Sequence, residues 1–203
     1  MKTLLRIDCS PRVEGSHSRA LANYFEKQWK LANPEGCVVY RDLIKHQPPH
    51  IQNDTIEGFY TPTDEISPEI LRATALSDEL IAELKSVNDI LISSPLYNLN
   101  VPSNLKAYID QVTRIGHTFN YNDTGYYGLL EDKAAYIITV KGGIYKNTAM
   151  ESYDFQEPYL NAILGHMGIS VKEIFSLEGT SDKEIRQINE KAARKAINSV
   201  FNN

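Results

Sequence analysis

Hydroxyl side chains are concentrated in one short segment near the start of the chain, residues 10–18 (SPRVEGSHS). Hydroxyls and backbone amides donate hydrogen bonds to a phosphate group, and the positive end of a helix dipole stabilises its negative charge. A helical pattern begins near Ser18. The segment lacks the glycine spacing of dinucleotide-binding loops and of P-loops, so it indicates a mononucleotide phosphate. Its candidate ligands are Ser10, Ser16, His17 (through its backbone) and Ser18. The alternative is that Ser16 or Ser18 only caps the helix, that Ser10 only ends a strand and that His17 is a surface residue.

A cysteine directly before this segment allows a second interpretation. In low-molecular-weight tyrosine phosphatases a strand is followed by a nucleophilic cysteine, five residues and an arginine. Gly15 stands at the arginine's position here, so the loop lacks the guanidinium that would hold phosphate oxygens and stabilise a thiolate. We therefore interpret Cys9 as a packing residue at a strand end, with Arg12 and Arg19 as additional charges for a phosphate.

A second candidate segment is the loop that opens residues 95–106 (PLYNLNVPSNLK). Pro95 and Pro102 fix φ and lack amide hydrogens, whereas residues 96–101 keep theirs. Such a stiff loop can present several N–H groups to a planar polar ligand, for example the edge of a flavin. The loop follows an apolar run and precedes a helix with Ser103 as its predicted N-cap, so it lies where parallel sheets bind ligands.

The third candidate segment is residues 139–144 (TVKGGI), after another apolar run. Gly142 and Gly143 let the backbone approach a flat ligand closely and turn two amides toward it, and Lys141 adds positive charge. Donors beside the pyrimidine ring of a flavin would stabilise the negative charge that reduction places there. An ordinary turn is the alternative, and the position beside two other strand ends favours the ligand site.

Alternating strands and helices must position these three segments. The predicted strands are residues 4–8, 37–43, 87–93, 134–140 and 170–177, and the predicted helices begin at Ser18, Ser67, Ser103, Tyr159 and Ser181. Largely apolar strands separated by helices indicate an α/β fold in which helices cover both faces of a parallel sheet. Five strands favour the flavodoxin-like order 2-1-3-4-5 in a single domain, residues 1–203, whose crevice between strands 1 and 3 accepts FMN. The long connection 44–66 is predicted to be a lid or a subunit contact, with disorder as the alternative.

Composition argues against several other classes. A net charge of −5 and a pI near 5.6, without a block of basic residues, argue against a nucleic-acid partner. The short, charged N-terminal run and the lack of long apolar runs predict a soluble, cytoplasmic protein with no membrane partner. Cys9 and Cys37 lie outside redox or zinc spacing, which favours reduced thiols. His46 and His50 have the spacing of a helical zinc pair, but two prolines lie between them, so no metal site is predicted.

The three segments together resemble the FMN-dependent NADH-azoreductase family, within the wider NAD(P)H quinone reductase and flavodoxin-like superfamily. The resemblance covers essentially the whole chain and is carried by S-P-x-x-x-x-S-x-S at 10–18, P-x-Y-N at 95–98, N-x-x-x-x-L-K-x-Y-x-D at 100–110, and G-G at 142–143. It implies a homodimer with one FMN per subunit at the interface. It also implies that Ser10 and Ser16 to Ser18 hold the phosphate, that Leu96, Tyr97, Asn98 and Leu99 line the isoalloxazine, and that Val140, Lys141, Gly142 and Gly143 meet its pyrimidine end.

Two departures from the family pattern fall in these segments. Leu96 and Leu99 stand where the family often has methionine and phenylalanine, and Val140-Lys141 stands where it often has Ser-Arg. Backbone donors survive these changes, so we expect FMN binding to be retained while substrate preference stays open. The resemblance places three further side chains near the cofactor or the dimer interface: Phe119, Tyr121 and Ile163.

The activity implied by the resemblance is an FMN-dependent NADH oxidoreductase that reduces quinones and azo compounds by two-electron hydride transfer in a ping-pong cycle. The sequence demands no protein acid or base, because the flavin carries the chemistry, so no catalytic side chain is assigned. The alternative is a flavodoxin-type electron carrier that docks on proteins. Such carriers are usually strongly acidic, whereas −5 over 203 residues is mild. The sequence specifies neither NADH over NADPH nor the physiological acceptor.

Overall fold

The structure of this chain is a computed structural model that describes residues 1–62 and 64–201. Thr63, within the predicted connection 44–66, and the last two residues of the predicted domain lie outside the described residues. The described strands are β1 (Thr3–Asp8), β2 (Cys37–Asp42), β3 (Asp89–Pro95), β4 (Phe119–Asn122), β5 (Gly125–Gly128), β6 (Ala134–Val140) and β7 (Ser170–Leu177). The α-helices are α1 (His17–Ala32), α2 (Asn53–Tyr60), α3 (Pro68–Ser86), α4 (Ser103–Val112), α5 (Gln156–His166) and α6 (Lys183–Phe201).

Five parallel strands form the main sheet in the order β2-β1-β3-β6-β7. Because β6 and β7 are its fourth and fifth strands in chain order, this is the predicted 2-1-3-4-5 arrangement, and the flavodoxin-like fold class is confirmed. The register places Asp8 opposite Ser93 and Pro95 opposite Val140. The carboxyl ends of β1, β3 and β6 therefore lie side by side, and the three candidate segments all leave the sheet at one edge.

Helices cover both faces of this sheet because neighbouring residues of each strand point to opposite sides. Leu5 belongs to a buried cluster with side chains of α3, α4 and α5, whereas the adjacent Leu4 belongs to a second cluster with side chains of α1 and α6. Phe25 and Trp29 of α1 are fully buried in the second cluster. Burying a large apolar side chain contributes about 1.5–3 kcal/mol, so these two clusters hold the strand ends in place.

The predicted helix starts are correct to within about one turn. Ser67 caps α3, as predicted, and Pro68 occupies its first turn. The sequence pattern does not resolve which of several neighbouring polar residues has the extended backbone that a cap requires. Accordingly, α1 is capped by Ser16 rather than Ser18. The predicted N-cap Ser103 is wrong: Ser103 is the first residue of α4, and Pro102 before it offers no side-chain cap. Helix α5 begins at Gln156, and α6 begins at Lys183 after Asp182, which accepts two first-turn amides.

Two elements are missing from the sequence prediction. Helix α2 lies inside the connection 44–66, so disorder is the wrong alternative for residues 53–60, and α2 packs closely on α3 at Gly58. The aromatic stretch forms the β4–β5 hairpin, in which a Cβ added at Gly128 would lie 2.0 Å from the backbone nitrogen of Gly168. Both elements are short and depend on tertiary contact. Across the described chain, no helix is both long and apolar enough to span a membrane.

Candidate cofactor-binding site

A cleft of about 350 Å³ opens where β1, β3 and β6 end, and it brings together residues from all three candidate segments. A second cleft of about 570 Å³ shares Tyr97 with the first, and Asn98 lines that second cleft. Leu99, Lys141 and Gly143 line neither cleft. The walls of the first cleft are Ser10, Arg12, Gly15, Ser16, His17, Ser18, Pro95, Leu96, Tyr97, Val140, Gly142, Thr180 and Ser181.

The serine segment wraps the amino terminus of α1 at one end of this cleft. Gly15 has φ of +66°, a left-handed conformation that suits glycine, and it turns the chain into the helix. The Ser16 and Ser18 hydroxyls lie 3.2 Å apart, and Ser16 Oγ also accepts the Arg19 N–H at 3.3 Å. The His17 and Ser18 amides have no acceptor within the described residues. This end of the cleft therefore presents free amides, hydroxyl groups and a positive helix dipole, which together suit an anion.

Only one of the two predicted arginines faces this cleft. Arg19 donates to the Ser10 carbonyl from Nε at 3.3 Å and Nη2 at 2.9 Å, and to the Asp42 carboxylate at 2.8 and 2.9 Å. Its hydrogen bond holds the Asp42 pKa below the usual range. The guanidinium therefore fixes the start of the serine segment instead of offering charge to a ligand, which leaves Arg12 on the wall. Burial and nearby arginines lower the pKa of His17, which favours its neutral form and a backbone role.

Cys9 is fully buried at the end of β1. Burial, followed by the Asp8 carboxylate, raises the pKa of its thiol well above the ordinary value. A nucleophilic cysteine needs the opposite, a stabilised thiolate. Together with Gly15 at the position of the missing arginine, this supports a packing role for Cys9.

The segment after β3 forms a tight two-residue turn. Tyr97 and Asn100 exchange both backbone hydrogen bonds at 2.9 and 3.0 Å, and the residues between them, Asn98 and Leu99, have φ of +48° and +69°. Left-handed backbone is strained for leucine, and strained residues often belong to functional sites. The Leu96 amide donates to the Val140 carbonyl at 2.8 Å. Several of the N–H groups that residues 96–101 keep are therefore used within the protein.

Two amides of that turn stay available. The Val101 amide bonds the Asn100 side chain at 2.7 Å, in addition to the pairing just described. Within the described chain, only the Asn98 and Leu99 N–H groups of residues 96–101 lack an acceptor. The turn concentrates its hydrogen-bonding capacity in two adjacent donors, which directly follow the cleft residues Leu96 and Tyr97.

The glycine segment after β6 is joined to the loop after β7. The Gly142 and Gly143 carbonyls accept the amides of Ser181 at 3.1 Å and Gly179 at 2.9 Å, while their own N–H groups have no acceptor among the residues described. A Cβ at Gly142 would lie 3.0 Å from Ser181 Oγ, so glycine allows this close approach. Thr180 and Ser181 line the cleft and were missed as site residues. Two hydroxyls after a fifth strand were the signal that could have found them.

Lys141 does not provide the free positive charge that the sequence suggested. Its side chain is 1% exposed, and its Nζ donates to Asp154 at 2.5 Å, Glu157 at 2.6 Å and Glu178 at 3.1 Å. Burial alone would lower the pKa of Lys141, but these hydrogen bonds outweigh it and raise the pKa. The charge is therefore neutralised inside the protein, and the alternation of side chains along β6 directs it away from the cleft that Val140 and Gly142 line.

Comparisons with known proteins agree with this geometry. The family model for the flavodoxin-like fold matches residues 1–200. An FMN-dependent NADH:quinone oxidoreductase of Nostoc punctiforme is 40% identical over 202 residues, which cover 99% of this chain and 98% of the relative. One of Xanthobacter autotrophicus is 45% identical over 176 residues, covering 86% of this chain and 85% of the relative.

Solved structures give the same result. An azoreductase from Bacillus anthracis has a TM-score of 0.92 at 26% identity, covering 100% of this chain and 99% of its own. An FMN-dependent NADH-azoreductase from the same species, solved in complex with FMN, has a TM-score of 0.87 at 27% identity, with 100% of both chains covered.

This chain belongs to the family with the flavodoxin-like fold. Within that family it is similar, over nearly its full length, to FMN-dependent NADH:quinone oxidoreductases and NADH-azoreductases. The resemblance carried by the four sequence motifs is thereby confirmed.

Proposed function

We propose that this protein is an FMN-dependent NADH oxidoreductase that reduces quinones and azo compounds. One observation carries the proposal: three strand ends meet at a cleft, and the segments that follow these strands carry unpaired amides that match both ends of an FMN molecule. The names of the full-length relatives supply NADH as the donor and quinones or azo compounds as acceptors.

The residues present fit FMN. At one end of the cleft, the His17 and Ser18 amides and the paired hydroxyls of Ser16 and Ser18 suit the phosphate dianion, and Arg12 adds charge. At the adjoining strand ends, two pairs of amides without acceptors suit the polar edge of an isoalloxazine. In this proposal the cofactor contacts are the predicted residues Ser10, Ser16, His17, Ser18, Leu96, Tyr97, Asn98, Leu99, Val140, Gly142 and Gly143. The remaining predicted residue, Lys141, makes no direct contact, because its amide donates to the Leu177 carbonyl and its side chain is buried.

The chain's own residues bind and orient the cofactor. Bound FMN would supply the hydride chemistry by which two electrons pass from the nicotinamide to the acceptor. In this proposal the unpaired amides of Gly142 and Gly143 stabilise negative charge on the pyrimidine ring without needing a titratable group. Of the described cleft residues, those with titratable side chains are Arg12, His17 and Tyr97. We assign none of them a catalytic role, and protons come from water.

We also propose a homodimer, a single domain over the whole chain, and a cytoplasmic location. The β4–β5 hairpin supports self-association because its aromatic side chains are clustered and exposed. The rings of Phe119 and Tyr126 meet edge to face near His166, and Tyr121 and Tyr126 are 62% and 71% exposed. Exposed apolar patches of this kind mark interaction sites. Sedimentation analysis of the holoprotein tests the dimer, and a monomer at micromolar concentration would contradict it.

The function is tested by colour and by anaerobic mixing with NADH. We expect the purified protein to be yellow, to release FMN on denaturation, and to lose its flavin absorbance when NADH is added. A flavodoxin-type carrier would keep its flavin oxidised in that mixture, because it takes electrons from a protein partner. A colourless protein that cannot be reconstituted with FMN would refute the proposal altogether.

A further inference from the structure

The buried Lys141 side chain lies directly behind the cleft wall. The residues on either side of it, Val140 and Gly142, both line the cleft. The Lys141 ammonium contacts carboxylates from two other parts of the chain: Asp154 and Glu157 at the start of α5, and Glu178 just after β7. A lysine at this position therefore connects a cofactor segment to two neighbouring elements.

Glu178 holds the glycine segment at both of its ends. One of its oxygens accepts the Lys141 ammonium at 3.1 Å, and the other accepts the backbone amides of Tyr145 at 2.8 Å and Lys146 at 3.1 Å. Glu178 itself is 8% exposed. The residues between these contacts include Gly142 and Gly143, so a single buried carboxylate fixes the segment that offers their free amides.

Asp154 links the same ammonium to the turn after β3. Its second oxygen accepts the amides of Gln156 at 3.0 Å and Glu157 at 3.4 Å, which fixes the first turn of α5. Gln156 is fully buried, and its Nε2 donates to Ser94 Oγ at 3.0 Å and the Pro95 carbonyl at 2.8 Å.

The residue between Asp154 and Gln156 completes this link. The amide of Phe155 donates to the Leu99 carbonyl at 3.1 Å. The Lys141 ammonium thus joins the glycine segment, through the start of α5, to residues 95–99, which lead from the end of β3 into the turn. These residues are called the 95–99 turn below. The glycine segment and the 95–99 turn are the two segments that offer free amides to the flavin ring.

We propose that Lys141 is a positioning residue that sets the spacing between the glycine segment and the 95–99 turn and thereby determines FMN affinity. The inference rests on the proposed function. Removing the ammonium would leave the buried Glu178 carboxylate beside the half-buried carboxylates of Asp154 and Glu157, and the Tyr145 ring lies 5.8 Å from the same ammonium. Like charges held close together and largely away from water are costly without a partner, so the carboxylates would move apart or take up protons.

The test compares FMN affinity in Lys141→Met with that in Lys172→Met, an exposed lysine on β7 that undergoes the same chemical change. Apoprotein is titrated with FMN, and binding is followed by the loss of flavin fluorescence at pH 6 and pH 8. We expect Lys141→Met to bind FMN at least tenfold more weakly than wild type at pH 8, with part of the loss recovered at pH 6. Lys172→Met should stay within twofold of wild type at both values.

The pH dependence separates positioning by charge from loss of packing. Protonation of the unpaired carboxylates at pH 6 removes their repulsion, whereas it cannot refill a space left by the side chain. A folded Lys141→Met protein with wild-type affinity, or one weakened equally at both pH values relative to wild type, would overturn the inference.

Two milder variants cover the case in which Lys141→Met does not fold. Glu178→Gln and Asp154→Asn keep the shape of each side chain and should each weaken FMN binding three- to tenfold. Wild-type affinity in both variants would overturn the inference. If wild-type protein binds no FMN, the proposed function fails; if wild type binds FMN and the variants bind it equally well, only the role of Lys141 fails.

Discussion

The paired hydroxyls of Ser16 and Ser18 predict how much FMN affinity is lost when one of them, or both, are removed. Their oxygens lie 3.2 Å apart, so one hydroxyl donates to the other, and Ser16 Oγ also accepts the Arg19 N–H at 3.3 Å. Two hydroxyls carry two protons, and the contact between them uses one. Whichever serine is the internal donor, one proton is left for a ligand in the cleft that both residues line.

The single variants and the double variant should therefore differ sharply. In Ser16→Ala or Ser18→Ala the remaining hydroxyl is released from its partner and can still donate, so we expect each to weaken FMN binding by less than about 0.7 kcal/mol, roughly threefold. Ser16→Ala should also lower the free energy of unfolding by about 1 kcal/mol, because it removes the N-cap of α1. The double variant loses the one hydroxyl donor that this pair supplies, and a hydrogen bond to a charged group contributes about 1.5–3 kcal/mol, or roughly 10- to 150-fold in Kd.

Fluorescence titration of apoprotein with FMN measures the four dissociation constants of this double-mutant cycle. Urea unfolding of each apoprotein separates lost stability from lost binding, and Ser199→Ala on the exposed side of α6 is the control for a serine far from the cleft. We expect the effects of the two substitutions on FMN affinity to be strongly non-additive, because either hydroxyl can serve as the one donor to the ligand when the other is removed. If each single variant lost affinity tenfold and the losses were additive, the idea that one hydroxyl replaces the other would be refuted. An unchanged FMN affinity in the double variant would show that the phosphate does not bind at the start of α1.

Three further predictions concern the backbone and the buried thiol. Leu99 has left-handed backbone, so Leu99→Val should lower the free energy of unfolding in urea by about 1 kcal/mol, whereas Leu99→Asn should not; equal effects would contradict the strain. Gly128→Ala should lower it by about 3 kcal/mol or more, since the new Cβ meets backbone, while Gly165→Ala, with open space inside α5, should raise it by about 0.5–1 kcal/mol. For Cys9, the raised pKa means that the folded protein holds its proton where the unfolded chain loses it. Stability should fall by about 1.4 kcal/mol per pH unit above about 8.5, and Cys9→Ala should remove that slope. An identical slope in Cys9→Ala would assign it to other groups.

Much of the fold could be predicted from local pattern. Apolar runs separated by helical periodicity predicted all five strands of the main sheet and their order, because a buried parallel strand needs apolar residues on both faces. The elements that were missed are short: α2 has eight residues, and the hairpin strands β4 and β5 have four each. None of them shows a strong helical or strand periodicity in its sequence. They exist because Gly58 and Gly128 permit close packing on distant parts of the chain.

The candidate site also has features that the sequence predicted and features that only the tertiary structure determined. Residue types and spacing alone indicated the serine segment, the turn after β3 and the paired glycines, because phosphate and planar ligands need donors at strand ends and helix starts. Only the tertiary structure decided which donors stay free: Arg19 is occupied by Asp42, and four of the amides in residues 96–101 are occupied internally. It also turned Lys141 away from the ligand and onto three carboxylates. A sequence states which groups can donate a hydrogen bond, but their partners are brought close only by folding.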